Sequence, residues 1–315
     1  MIINKKGKKN ALIFGISGQD GTHLAKILLN QNIKVHGISR KNKNWSNNLK
    51  SKKILKKIKV FKLNYKMSNL KKILFKNYNY IFFFGAQNSP IKSFGHLEKN
   101  TFDSHIEPLK IILEFIRKQK KFKSKLLFAS SGEIFGYQGG KKLNEKSEKK
   151  PLSPYGLTKL IGYEVVKSYR EMFNLPVFSI IFFNHESNLR SKEFVFKKIS
   201  NYLIKSNLKK KLVIGNINVK RDWGWSPEYM HIVYKIIKSN YVDDYVLATG
   251  LTTNLKNIIK LFFKKYNLDY KKYIKVSKKF YRSNEIKENY ANISKLKNTF
   301  KIYPKINYKK ITNYF

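Results

Sequence analysis

The stretch that decides the fold is Ala11–Leu24, ALIFGISGQDGTHL. An apolar, β-branched run, Ala11–Ile16, leads into Gly15-x-x-Gly18-x-x-Gly21, and Leu24, Ile27 and Leu28 follow at helical spacing. Glycines are needed where a strand-to-helix turn is tight and where the backbone must approach a pyrophosphate. The N-terminus of the following helix then offers N–H groups and a positive dipole end to that anion. A glycine triplet alone means little. What gives this one weight is its place in the first βα turn of an alternating chain.

The alternation continues outward from this turn. Apolar or aromatic runs recur at Lys34–Ser39, Ile58–Leu63, Tyr80–Phe84, Lys125–Ala129 and Val177–Phe183. Helical spacing lies between them, as in Leu109, Ile112, Leu113 and Ile116, or Tyr163, Val166 and Tyr169. Strands alternating with helices predict βαβ units and a parallel sheet, and a run such as YIFFF (80–84) fits burial on both faces. After Asn184 the pattern loosens. Leu212–Ile214 and Tyr245–Thr249 read as short strands of a second lobe, with helices at Ile232–Lys238 and Asn257–Tyr266. Lys141–Lys150 reads as a lysine-rich loop. The expected fold class is α/β: a Rossmann-type, doubly wound parallel sheet with a smaller C-terminal α/β substrate-binding lobe. The expected division is 1–183 for the dinucleotide lobe and 184–315 for the smaller one, the two interleaved.

Composition narrows the classes. The 315 residues, 42% of them hydrophobic, suffice for a substantial core. No run approaches the roughly 20 apolar residues of a membrane helix. The opening MIINKKGKKN is basic without the apolar segment of a signal peptide. A soluble, cytoplasmic protein without a membrane partner is therefore expected. Cysteine is absent, and the six histidines show no metal-ligand spacing, so no metal is expected. The formal charge of +47 invites a nucleic-acid reading. Yet lysines run through the whole chain among Asn, Ile, Tyr and Phe, the amino acids of A/T-rich codons. Coding bias accounts for that pattern, and no specific nucleic-acid partner is expected. Such a surface still attracts acidic ligands such as nucleotides.

Three local readings bear on chemistry. The second strand ends in Gly37-Ile38-Ser39-Arg40-Lys41, where a site for NAD places an acid on the ribose 2′-OH. Arg40 stands there instead and suits a 2′-phosphate, so NADP is favoured over NAD. Further on, Ser153 and Pro154 suit a helix start, which puts Tyr155 and Lys159 at i and i+4 on one face. An ammonium near a phenol favours phenolate, a base able to take a hydroxyl proton. Finally, ASSGEIFG (129–136) follows a buried strand and carries one acid, Glu133, which by itself reads as an ordinary solvated carboxylate.

Together these residues resemble the extended short-chain dehydrogenase/reductase superfamily and, within it, the GDP-mannose 4,6-dehydratase family. ALIFGISGQDGTHLAKILL, KVHGISRK, FGAQNSPIKSF, SSGEIFG, SPYGLTK, FFNHES, EFVFKKI, GNINVKRDWG, VLATG and FYRSNE occur in that family's order over most of the chain. FNHES and RDWG are the more specific segments. The resemblance implies that Ser131 polarises the sugar O4, Tyr155 deprotonates it and Lys159 holds the cofactor ribose. Glu133 becomes the base that removes the C5 proton and passes one to the departing O6. Implied cofactor contacts are Gly15, Gly18, Gln19, Asp20 and Gly21 in the first turn, Arg40, Asn64, Ala86 and Gln87 at later strand ends, and Tyr155 with Lys159. Implied contacts to a GDP-sugar substrate are Asn184, Val195, Lys198, Arg221, Arg282 and Glu285.

The chain departs from the family at Ser131, where Thr is usual, and at Gly132, where Ser is usual. Phe83 and Gly85 differ in the strand-four turn, and Asn64 stands near an expected acid. The short segment between Arg40 and Ile58 favours a homodimer over a tetramer. Rival readings keep the fold with another sugar-nucleotide reaction (epimerase, decarboxylase, reductase or GDP-heptose dehydratase). A further rival is a non-catalytic polyanion binder.

Overall fold

The computed structural model describes residues 9–40, 45–62, 67–85, 93–94, 98–120, 123–204, 208, 210–281 and 284–315. The strands of the chain are β1 Asn10–Phe14, β2 Lys34–Ser39, β3 Lys59–Lys62, β4 Tyr80–Phe83, β5 Lys125–Ser131, β6 Lys142–Leu143 and β7 Val177–Phe182. They continue with β8 Asn184–Glu186, β9 Leu212–Ile214, β10 Lys220–Trp225, β11 Tyr245–Leu247, β12 Thr252–Asn254, β13 Ile274–Val276 and β14 Tyr290–Ala291. The helices that matter below are α1 Gln19–Asn30, α2 Asn47–Ser51, α3 Met67–Leu74, α4 Glu98–Lys118, α5 Pro154–Phe173, α6 Val195–Ile204, α7 Ser226–Lys238 and α8 Leu255–Lys264.

Seven strands form the main sheet in the order β11-β7-β5-β4-β1-β2-β3, every pair parallel. β4 and β7 are buried along their whole length, as a sheet covered on both faces requires. Strand alternation divides β1 between the two layers. Ala11 and Ile13 pack with Leu24 and Leu28 of α1 and Met230 and Val233 of α7. Leu12 and Phe14 pack with Leu70 of α3, Leu109 and Leu113 of α4 and Val166 of α5.

Two elements differ from expectation. Tyr245–Leu247, expected in the second lobe, closes the main sheet as its seventh strand. The run is short but wholly buried, and Asp244 beside it anchors the edge. That carboxylate accepts two hydrogen bonds from Arg170 of α5, at 2.9 and 2.7 Å, and one from the Ser179 N–H at 2.7 Å. The expected loop at 141–150 contains β6, which pairs in parallel with β14.

The second lobe is built from small sheets, β8-β10-β12 and β9-β13, under α6 and α8. Its core is aromatic, with Phe196, Trp223, Phe262 and Phe263 in one cluster. β8 begins two residues after β7 ends, so the second lobe grows directly from the C-terminal edge of the main sheet. Clefts outside that edge are where open α/β sheets take ligands.

Candidate active site

The glycine turn sits at the C-terminal end of β1, where the strand order reverses between β4 and β2. Gly15 has φ +78°, and a Cβ on it would lie 2.7 Å from the Gly85 Cα. A Cβ on Gly21 would lie 2.4 Å from the Gly15 carbonyl oxygen. Gly18 is the N-cap of α1, and no side chain caps that first turn. A tight turn without side-chain volume, ending in uncapped helix amides, fits a dinucleotide pyrophosphate. At the neighbouring strand end, Ser39 and Ser17 are linked through their hydroxyls at 2.8 Å and Arg40 is exposed.

Gln19 and Asp20, expected to face a cofactor, are engaged elsewhere. The Gln19 amide donates to the His185 carbonyl at 3.1 Å and accepts from the Ser187 hydroxyl at 3.0 Å. Asp20 accepts from the Ser226 hydroxyl at 2.6 Å and faces His185 Nε2 at 3.0 Å. The other His185 nitrogen, Nδ1, lies 2.8 Å from the Phe183 carbonyl, which can only accept. Both ring nitrogens therefore donate, and the ring is an imidazolium. Burial opposes ionisation of Asp20, but His185, Ser226 and Arg190 outweigh it and hold the carboxyl at about 2. Burial likewise opposes the His185 charge, and Asp20 outweighs it, so the His185 pKa is raised. This clasp joins the first helix to the FNHES segment and to the start of α7.

The second cluster lies at the ends of β5 and α5. Ser131 caps the 3₁₀ turn Gly132–Phe135, accepting from the Glu133 N–H at 3.3 Å. Glu133 is half-buried on that turn. α5 starts as its sequence predicts, with Ser153 accepting from the Gly156 N–H at 3.0 Å and Pro154 in the first turn. The Ser93 hydroxyl accepts from the Tyr155 N–H at 3.1 Å. Lys159 is 5% exposed, donates to the Ala129 carbonyl at 2.7 Å and lies 5.8 Å from the Tyr155 ring centroid.

Burial pushes the Lys159 ammonium down to about 7. It pushes the Tyr155 phenol up to about 12, against the hydrogen bond from Ser131 and with the help of the Glu133 charge. Burial thus works against the expected phenolate in the isolated protein. Desolvation of the phenol dominates, and the lysine points at a backbone carbonyl.

The second cluster, with Asp20 and His185 of the clasp, opens onto one cavity of about 440 Å³, within the range of small-molecule sites. Ser131, Glu133, Tyr155, Lys159 and Asp20 line it together with Asn184, Val195, Lys198, Arg221 and Glu285. Lys198 donates to the Val213 carbonyl at 2.7 Å. Arg221 donates to the Lys220 carbonyl at 2.9 Å. Glu285 accepts from the Asn216 amide at 2.9 Å. Two cations and a carboxylate on one wall suit a diphosphate and a hydroxylated nucleoside. Gly15, Gly18, Gln19, Gly21 and Arg40 lie outside the cavity lining. Asn64, Ala86, Gln87 and Arg282 lie outside the described residues.

The cavity also holds residues that sequence reasoning missed. His105 of α4 is fully buried, edge-on to the Tyr155 ring at 5.9 Å. Its Nδ1 donates to the Thr101 carbonyl at 2.7 Å, while Nε2 has no hydrogen-bond partner. Burial, and then the Lys159 charge, keep its pKa well below the usual value, so Nε2 is a bare acceptor. A signal existed: His105 extends the stripe of Leu109, Ile112, Leu113 and Ile116 by one turn. Glu186 is buried beside Arg190 at 3.6 Å, and burial raises its pKa. Both line the cavity, as does Asn289.

RDWG divides into site and scaffold. Arg221 reaches the cavity, while Asp222 is fully buried and accepts from the Thr249 N–H at 3.0 Å and hydroxyl at 2.7 Å. Burial pushes the Asp222 carboxyl up to about 6 against these bonds. The RDWG and VLATG segments are therefore joined through this carboxylate. Among the described residues no cluster of three acids or histidines could hold a metal, and no helix is long and apolar enough to cross a membrane.

A family model described as GDP-mannose 4,6 dehydratase matches residues 12–314. The chain is 33% identical over 268 residues to the GDP-mannose 4,6-dehydratase of Sinorhizobium fredii, covering 81% of this chain and 76% of that protein. It is 30% identical over 320 residues to the GDP-mannose 4,6 dehydratase of Dictyostelium discoideum, covering 92% and 90%. In fold it is similar to a dTDP-glucose 4,6-dehydratase from Bacillus anthracis in complex with NAD. That TM-score is 0.84 at 18% identity, with 96% of this chain and 94% of the other covered. A UDP-glucose 4-epimerase from Thermotoga maritima with UDP-glucose gives 0.85 at 17% identity, covering 97% and 98%.

Proposed function

The chain belongs to the GDP-mannose 4,6-dehydratase family, and from that premise we propose that it converts GDP-D-mannose to GDP-4-keto-6-deoxy-D-mannose. The observation that carries the reading is that Glu133 opens onto the same cavity as Ser131, Tyr155 and Lys159. Oxidation of an alcohol needs only the last three. Dehydration also needs a base for C5.

The nucleotide diphosphate is assigned to Lys198 and Arg221, and a ribose hydroxyl or the base to Glu285. That arrangement lays the hexose toward Ser131. The Ser131 hydroxyl orients O4 against Tyr155, whose phenol would release its proton to solvent once substrate and a cationic cofactor fill the site; the phenolate then takes the O4 hydroxyl proton. The Lys159 ammonium is assigned to the cofactor ribose. A nicotinamide cofactor held by the glycine turn would supply the redox chemistry, namely hydride uptake from C4 and hydride return at C6. The 4-ketone acidifies C5–H. Glu133 takes that proton, the C6–O bond breaks, and the same carboxyl protonates the leaving oxygen as water; a proton equivalent to the one Tyr155 took from O4 then adds at C5 as hydride reaches C6, which balances the step. Positioning by the cavity supplies the remainder of the barrier reduction. NADP is proposed over NAD because Arg40, exposed at the end of β2, suits a 2′-phosphate.

The test is incubation with GDP-mannose and NADP⁺, with the product analysed by mass and NMR. The expected product is one water lighter and carries a new C6 methyl group. No conversion, with turnover of a different sugar nucleotide, overturns the assignment.

A further inference from the structure

The peptide between Ser131 and Glu133 is held from the other lobe. The Asn289 side-chain amide donates to the Gly132 carbonyl at 3.2 Å, across 157 residues of chain. Asn289 is 4% exposed and lines the cavity. Its own backbone is pinned: its N–H donates to the Lys220 carbonyl at 3.2 Å, and its carbonyl accepts from the Thr252 hydroxyl at 3.2 Å. The Lys220 N–H in turn donates to the Lys287 carbonyl at 2.9 Å. Asn289 thus sits on a rigid stitch between the Arg221 strand and the segment that carries Glu285.

Gly132 fits this contact sterically. A Cβ there would lie 3.3 Å from the Asn289 Nδ2 and 3.3 Å from a Phe183 ring carbon. A side chain at 132 and the amide at 289 compete for one space. The other end of that amide, Oδ1, is buried without a hydrogen-bond partner.

We propose that Asn289 is a positioning residue for Glu133. It sets the turn that bears the base, and it ties that turn to the wall assigned to the nucleotide. The inference rests on the reading of Glu133 as the C5 base. It also gives Gly132 a reason: the glycine makes room for a hydrogen bond that crosses between the lobes.

The experiment separates C4 oxidation from C5 deprotonation. Asn289→Leu keeps the size and removes both polar ends. With GDP-mannose and NADP⁺, dehydration is expected to fall at least about tenfold, since small misplacements of a catalytic group cost that much or more. C4 oxidation should continue, so reduced cofactor accumulates by absorbance, and C5–H exchange in D₂O slows in proportion. The KM should move less than about threefold, because a positioning defect acts after binding. Gly132→Ser alone should slow the same step, and the Gly132→Ser/Asn289→Leu double variant should be less impaired than the two effects multiplied.

If Asn289→Leu does not fold, Asn289→Asp keeps the size, faces the Gly132 carbonyl with an oxygen, and should show the same partition. Equal loss of both steps, or a wild-type rate with no reduced cofactor, overturns the proposal while leaving the dehydratase reading intact. A wild-type chain that does not dehydrate GDP-mannose overturns both, since Asn289 then has no base to position.

Discussion

The clasp beside the glycine turn and the sugar end of the cavity use their polar groups for different purposes. At the glycine-turn end, Gln19 uses both ends of its amide, Asp20 both oxygens and His185 both ring nitrogens, all within the protein. At the sugar end, His105 Nε2 and Asn289 Oδ1 are buried without hydrogen-bond partners, and beside the clasp so are His23 Nε2, Glu186 Oε2 and Arg190 Nε. Buried polar atoms are normally paired, and leaving one unpaired costs about 1–3 kcal/mol. The difference separates the scaffold from the working surface. The Gln19–Asp20–His185 clasp, the saturated end in that its own polar atoms are all paired, holds the lobes in register, while the Ser131–Glu133–Tyr155 end carries the chemistry.

If that division holds, damage at the sugar end should stop chemistry and spare stability. The largest effect is expected for Glu133→Gln. Dehydration should fall by about 10²–10⁴, the range for a lost general base. C4 oxidation should persist, so reduced cofactor is trapped, and the melting temperature should hardly move. Stopped-flow absorbance with product mass analysis checks this, and full activity would remove Glu133 from the role of C5 base.

Damage at the saturated end should do the reverse. Asp20→Asn leaves the His185 imidazolium buried without its counter-ion and should cost about 3 kcal/mol of stability by urea unfolding. The clasp has its own pH window. Asp20 is held at about 2 against an ordinary 3.8, so its contribution is complete above 3.8 and lost as pH falls through 2. His185 is raised above 6.5, so its contribution is complete below 6.5 and lost as pH rises through the raised value. The variant should therefore differ most from wild type between pH 3.8 and 6.5. An unchanged unfolding curve there would mean that the clasp does not hold the lobes.

Lys159 gives a graded test of the sugar end. Its folded value of about 7 lies below the ordinary 10.5, so the unfolded chain binds the extra proton between them. Stability of the ligand-free protein should rise with pH across that interval, by up to about 1.4 kcal/mol per unit. Lys159→Met should remove that rise. A wild-type curve without it would mean that the ammonium is solvated rather than desolvated.

The same contrast explains what could be read from the sequence. The main sheet was legible because its information is local. ALIF, YIFF and VFSIIF are buried strands by composition alone, and Gly15 must be glycine for the turn that follows. Tyr155 and Lys159 were legible as a helical pair, but not their protonation, because desolvation depends on packing that no spacing encodes. Gln19 and Asp20 were read from their nearness to the glycine turn. Their partners lie 166, 168, 165 and 206 residues away, so nothing local could show that both side chains were engaged. His105 and Asn289 belong to no motif, and each acquires meaning only from the fold that brings it to the cavity.

The smallest effect concerns the cofactor, outside the cavity lining. Between Asp20 and Glu98 the chain contains no carboxylate side chain. No acid from the first three strand ends is therefore available to a ribose 2′-OH, and Arg40 is the cation at the end of β2. Its strand end is fixed, since Ser39 is tied to Ser17 of the glycine turn. A charge-assisted contact from Arg40 to a 2′-phosphate is worth about 1.5 kcal/mol or more. Arg40→Ala should then lower kcat/KM for NADP⁺ about tenfold and leave NAD⁺ nearly unchanged. The formal charge of +47 attracts either cofactor and confuses a single KM. The ratio of the two kcat/KM values at fixed ionic strength, in wild type against variant, cancels most of that background and isolates the local contact. An unchanged ratio would make Arg40 one more solvated base on a basic surface.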